Sequence, residues 1–257
     1  MEGVMKATQD VLRVWRQFDH YPMETITKAW YYLQHDRNKQ RSVALMKEHR
    51  NQFGTSGNCF DLALWLMEEF KSEGIFSYAI GHDLKTPNAH VAVIAVNEAG
   101  NKYFCDLGDL WVNPILIERN SDDYSEEELD GFVTGGKVKV EVDLIEINFK
   151  FIRPNGKVSQ QKFDLQPIQF NRLIDAANYS QSLIRHPLVE MRIFTPDEVL
   201  HWEFDSWNSF ISSNSGLKNE SKLINNNEWA ERIYLQTGIN KDIIIKSLDV
   251  YLRMLHN

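Results

Sequence analysis

The chain has 257 residues, 43% of them apolar, enough to bury the core of one large domain or of two to three small ones. Its formal charge is -8, from 36 acidic against 28 basic residues, and no Lys/Arg cluster is interleaved with aromatics, so a nucleic-acid backbone is excluded as an expected partner. No window reaches the roughly 18 uncharged apolar residues of a membrane span, and Met1 to Gln17 carries Lys6, Asp10, Arg13 and Arg16 in place of a signal peptide's apolar stretch; a cytoplasmic protein with no membrane partner is expected.

Val4, Val11, Leu12, Trp15 and Phe18 recur at helical spacing, and residues 23–33 and 43–49 read similarly, so the first fifty residues predict a small helical bundle. Phe60, Ala63, Leu64, Met67 and Phe70 extend the pattern on a helix buried along one face and stopped by Gly74. Short β-branched and aromatic runs follow at 75–80, 90–96, 102–107, 137–142, 144–152 and 158–165, the last two joined across Arg153-Pro154-Asn155-Gly156. Residues 166–186 predict a loop and short helix, 188–204 further strand with a turn at Thr195-Pro196-Asp197, 212–227 a mobile linker, and 228–236 and 242–255 two closing helices.

The chemistry concentrates at Cys59. The run Gly54-Thr55-Ser56-Gly57-Asn58-Cys59 is a small polar loop that breaks into an apolar helix, which sets a thiol at a helix N-terminus, where free backbone N–H groups favour thiolate. If Asn97 to Asn101 form the loop of the next hairpin, Val96 pairs with Lys102 and Ala92 with Asp106, making His90 and Asp106 diagonal neighbours on one face, about 7 to 8 Å apart at Cα. A one-residue slip would separate them. In that register Asp106 would orient His90, and His90 would exchange a proton with Cys59. Cys105 points to the other face and reads as a core thiol.

Other candidates are weaker. Gly135-Gly136-Lys137 lacks the rest of a phosphate-binding loop, and His82, Asp83, His90 and Cys105 show no zinc spacing, so no metal is assigned. Trp111, Phe204 and Trp207 are candidates for lining an acceptor pocket. Two cysteines are too few for a disulfide framework, and the sequons at Asn178 and Asn219 are read as chance matches.

Gly57-Asn58-Cys59-Phe60-Asp61, His90-Val91-Ala92-Val93-Ile94 and Tyr103-Phe104-Cys105-Asp106-Leu107-Gly108 together resemble the arylamine N-acetyltransferases and, more remotely, the transglutaminase-like cysteine enzymes. Pro22-Met23-Glu24-Thr25 resembles an altered form of that family's proline-phenylalanine-glutamate-asparagine motif; residues 163–167 and 175–179 look like later landmarks. The resemblance implies an α+β fold: a helical bundle carrying the nucleophile over 1–75, an antiparallel β-barrel with the His and Asp over 76–165, and a C-terminal α/β lid over 166–257. It implies Cys59 as nucleophile, His90 as base and Asp106 as its orienter, passing acetyl from acetyl-CoA to an arylamine, hydrazine or similar amine in a ping-pong reaction. Thr55-Ser56-Gly57 stands where the family has Arg-Gly-Gly, and Gly108-Asp109-Leu110 replaces a Gly-Phe-Gly. A transglutaminase-like amidase or peptidase, and a binding module without turnover, stay open as alternatives.

Overall fold

The computed structural model describes residues 4–34 and 39–255. The N-terminal part holds α1 (Gln9–Trp15), the two-residue strand β1 (Met23–Glu24), α2 (Ile26–Trp30), α3 (Val43–Phe53) and α4 (Cys59–Ser72). The Ser42 hydroxyl starts α3 by accepting the Leu45 N–H, and Gly54, at φ +76°, ends it in the left-handed conformation that a side chain would oppose. Met23 and Glu24, expected to be helical, instead pair with Glu190 and Val189.

Helix α4 is buried further round than one face. Phe60 through Leu66 are all withdrawn from water in succession, as is Phe70, which is the pattern of a helix enclosed in a core. Each of its large apolar side chains contributes roughly 1.5–3 kcal/mol by burial. Gly74, at φ +74°, follows the helix end as expected.

Seven strands follow: β2 (Phe76–His82), β3 (His90–Val96), β4 (Lys102–Cys105), β5 (Ile115–Leu116), β6 (Lys137–Val142), β7 (Glu146–Ile152) and β8 (Val158–Asp164). They form an antiparallel sheet in the order β5-β4-β3-β2-β8-β7-β6, in which β2 and β8 join two meanders. The expected barrel is realised as a half-barrel, and one continuous core runs from α4 into it through Ile94, Phe104 and Phe149.

After α5 (Phe170–Ser182), a second antiparallel sheet is built from β9 (Leu188–Phe194), β10 (Val199–Asp205), β11 (Asn208–Ser213) and β12 (Gly216–Asn219), with β1 as its outer strand. The first half of the stretch 212–227 is therefore a hairpin and not a linker. Ser213 pairs with Gly216 across it, and the same Ser/Asn/Gly chemistry serves turns and linkers alike. Helices α6 (Asn226–Thr237) and α7 (Lys241–Leu255) close the chain, packing Trp229, Ile233, Ile244 and Leu248 against Val189, Trp202 and Phe204. Ser247 and Tyr251 of α7 donate to the Ile26 and Thr25 carbonyls, so the chain's end is fastened beside α2. Among the described residues no helix is long and apolar enough to cross a membrane.

Candidate active site

The loop before Cys59 is held from below by a carboxylate. Glu24, fully buried, accepts the Gly57 N–H at 2.7 Å, the Thr27 N–H at 2.8 Å and the Thr27 hydroxyl at 2.6 Å, while its own N–H donates to the Gly57 carbonyl at 2.9 Å. The altered motif around Glu24 thus keeps the acid that clamps the loop. Gly57 has φ +101°, and a Cβ there would collide with the Asp61 carboxylate.

Asn58 caps α4, its side chain accepting the Phe60 and Asp61 N–H groups, and Asp61 returns a bond to the Asn58 N–H at 3.1 Å. Asp61 also accepts from Tyr32 at 2.5 Å, Gln40 at 2.9 Å and Gln181 at 3.1 Å, and pairs with Arg41 at 3.3 Å with neither side chain exposed. Arg41 donates to the Ser56 carbonyl at 3.1 Å, so a buried guanidinium supports this loop although Thr55 replaces the motif arginine. Gln181 brings α5 into the network by also bonding Asn58.

Strand pairing sets the other two residues. Val96 pairs with Lys102 and Val93 with Cys105, the expected register. His90 Nε2 lies 2.8 Å from Asp106 Oδ2, and the Asp106 side chain is wholly buried while its Oδ1 accepts the Asp109 N–H at 3.0 Å. The side chain of Cys59 stands beside the His90 ring and is among the groups that raise its pKa. Gly108 closes the group: a Cβ on it would stand 2.5 Å from Cys59 Cβ, 2.8 Å from His90 Cε1 and 3.2 Å from Asp106 Oδ1. Cys59, His90 and Asp106 therefore converge on one point.

Burial works against a charged His90, but Asp106 first and then Asp109 outweigh it, holding the ring well above the usual histidine range. Cys105 faces away into the core, where burial pushes its thiol far up.

Cys59 and His90 open into a cavity of about 270 Å³, walled also by Lys28, Asn58, Arg185 and Glu190. Asp109 and Glu190 also line a second cavity of about 930 Å³, which continues to Trp111, His201 and Glu203. Phe204 and Trp207 do not line it; Phe204 is core and Trp207 packs against that core. His201 Nε2 is 3.1 Å from Glu190 Oε1; burial opposes its charge, but Glu190 raises the ring's pKa. Burial and Glu190 push Glu203 up to about 7. Two sets, His90, Asp106 and Asp109 and then Glu190, His201 and Glu203, bring three donor atoms within 4.8 Å of one another and could gather a cation. In the first, the facing atoms already share a hydrogen bond. His82, Asp83 and Cys105 are not gathered with His90 into such a set among the described residues, since His82 pairs with exposed Asp83 and Cys105 points inward. Gly135-Gly136-Lys137 is the turn into β6.

The sequence did not disclose Lys28, Arg41, Glu190 or Gln181. Each sits far in the chain from Cys59, and only an acid motif around Glu24 hinted at the clamp.

No protein-family model matches the chain, and no curated protein matches it by sequence. Solved structures do. The M. tuberculosis arylamine N-acetyltransferase aligns with a TM-score of 0.73 at 14% identity over 99% of this chain and 96% of that one. The Mycobacterium marinum enzyme in complex with CoA gives 0.70 at 12% over 98% and 94%, and that of Salmonella typhimurium 0.67 at 10% over 93% and 89%. At such identities the likeness speaks for the path of the chain and not for its chemistry. The protein has the fold of the arylamine N-acetyltransferases.

Proposed function

We propose that the chain is an acyltransferase that carries an acetyl group on Cys59 from acetyl-CoA to an amine. The observation that carries the reading is the convergence of Cys59, His90 and Asp106 on Gly108, at the wall of a cavity, in a fold whose solved representatives include one bound to CoA.

His90 takes the thiol proton, and Cys59 attacks as thiolate. A bond forms from Sγ to the thioester carbonyl carbon, and the oxyanion falls near the start of α4, where the Asn58 side chain takes the Phe60 and Asp61 N–H groups but not that of Cys59. The carbon–sulfur bond to CoA then breaks, and His90 gives its proton to the departing thiolate. The amine attacks acyl-Cys59, neutral His90 takes the proton from nitrogen, and Cys59 leaves as thiolate. Asp106 holds the ring at Nε2 throughout, which leaves the other nitrogen to exchange the proton with the sulfur. The carboxylates of Glu190, Glu203 and Asp109 along the larger cavity suit an acceptor with amine hydrogens or a positive charge.

Incubation with acetyl-CoA followed by intact-mass measurement tests this. The parent is expected to gain one acetyl group that added amine removes, and Cys59→Ala to gain none. A parent that takes up no acyl group from any donor sinks the enzyme reading; uptake from amides or esters but not acetyl-CoA shifts it to an amidase.

A further inference from the structure

Lys28 extends from α2 into the cavity of Cys59. Its Nζ donates to Ser180 O at 2.9 Å, Ser180 Oγ at 3.4 Å and Leu183 O at 3.4 Å. All three acceptors are neutral. Among the described residues no carboxylate lies within ion-pair reach of it, unlike Arg41, which has Asp61. Ser180 Oγ also accepts from Asn58 Nδ2 at 3.2 Å, so the ammonium is anchored two hydrogen bonds from the residue that caps the Cys59 helix. A partly buried cation without a carboxylate is unfavourable unless some other anion faces it.

The Cys59 side chain shares the cavity of about 270 Å³ that Lys28 lines, and a thiolate formed there would face the ammonium. Burial lowers the Lys28 pKa, and the first charge that opposes this is Cys59, ahead of Asp61 and Glu24, while Arg185 adds to the lowering. The charged groups around the sulfur are His90 and Asp109 from the half-barrel side, with Asp106 behind the ring; Lys28 from α2; Arg185 and His186 after α5; and Glu190 from β9. Glu24 and Asp61 lie beneath the helix start. Of the lysine and arginine that line the cavity, Lys28 is fastened through Ser180 to the capping residue, whereas Arg185 donates to the Pro87 carbonyl at 3.3 Å.

We propose that Lys28 is a positioning residue for the nucleophile, its fixed ammonium stabilising negative charge on Cys59 and on the oxyanion formed there. This rests on the reading of Cys59 as nucleophile, and it adds a second cation, from a different element, to the one His90 provides. A neutral side chain at residue 28 would leave the thiolate with the imidazolium alone.

The test is the rate of Cys59 alkylation by iodoacetamide, a neutral reagent, between about pH 5 and about pH 9. Lys28→Gln keeps an amide donor for the Ser180 and Leu183 carbonyls and removes the charge; it is expected to slow alkylation at neutral pH roughly tenfold and to move the rise in rate to higher pH. Lys28→Arg is expected to restore the parent curve. Lys28→Met gives the same neutral test should Lys28→Gln not fold. A fast parent with a Lys28→Gln curve identical to it overturns the proposal alone, and so does a loss that Lys28→Arg does not recover, since that marks a structural role. A parent no faster than a free thiol instead overturns the nucleophile reading.

Discussion

His90 Nε2 and Asp106 Oδ2 lie 2.8 Å apart across sixteen residues of sequence, joined by a hairpin whose loop fixes their register. Because Asp106 is buried and His90 nearly so, the pair is shielded from solvent and its charge interaction is strong. Asp106→Asn keeps an oxygen for the Asp109 N–H but removes the charge. Acyl uptake is expected to slow by about 10²–10⁴. His90 has a raised pKa when folded, so its contribution to stability is full below the ordinary histidine range and is lost as pH rises through the raised value. Urea unfolding across pH should show the parent's advantage over Asp106→Asn largest at acid pH and shrinking as pH climbs.

Gly108→Ala asks whether space alone sets the geometry. The backbone at Gly108 lies outside the left-handed region, so the new methyl adds no backbone strain, yet it would sit 2.5 Å from Cys59 Cβ, an atom fixed to the helix start. The sulfur or the imidazole must move by a fraction of an ångström to an ångström. Transfer is expected to fall about 10²-fold, with far-UV circular dichroism unchanged. A variant with parental turnover would show that the three groups adjust freely.

These two residues were readable for a physical reason. A five-residue loop, Asn97 to Asn101, leaves one register, and period-two alternation then assigns Cys105 and Asp106 to opposite faces. The helix start at Cys59 was readable from local chemistry in the same way, as a small polar loop giving way to an apolar-periodic run. The rest depends on partners far along the chain. Strand β1 is two residues long and exists only because Glu190 and Val189 pair with it. Arg41 looks like one of many lysines and arginines in a polar stretch until Asp61, Tyr32 and Ser56 enclose it. The Ser/Asn-rich 212–227 segment has a turn's composition, and what makes its first half a hairpin is the β11 edge it can pair with.

Arg41→Met tests the enclosed network. Removing the guanidinium leaves Asp61 buried and charged, an arrangement that costs about 3–5 kcal/mol when one partner of a buried pair is lost. Tyr32, Gln40, Asn58 and Gln181 still donate to Asp61, which places the expected loss at the lower end of that range. Denaturant unfolding of Arg41→Met, Asp61→Asn and the double variant should show the double variant losing less than the sum of the two singles. Strict additivity would mean that the pair does not act as a unit.

Glu203 gives stability the same direction of pH dependence as His90, but from a carboxyl that is penalised when it ionises. Burial first, and then Glu190, push its carboxyl up to about 7 from an ordinary value of 4.5, against a smaller pull from His201. The folded state therefore holds a proton that the unfolded chain has released, and stability falls as pH rises from about 4.5 to about 7. Glu203→Gln removes that loss: it should unfold like the parent near the lower pH and be the more stable protein above the upper one. Binding should move the other way. If a cationic amine reaches acyl-Cys59 along the wall of Glu190 and Glu203, KM for that amine should fall in the parent as pH passes about 7 and Glu203 ionises, and Glu203→Gln should flatten the fall while leaving acylation by acetyl-CoA unchanged. A stability gain without any change in the KM profile would place the acceptor's path elsewhere.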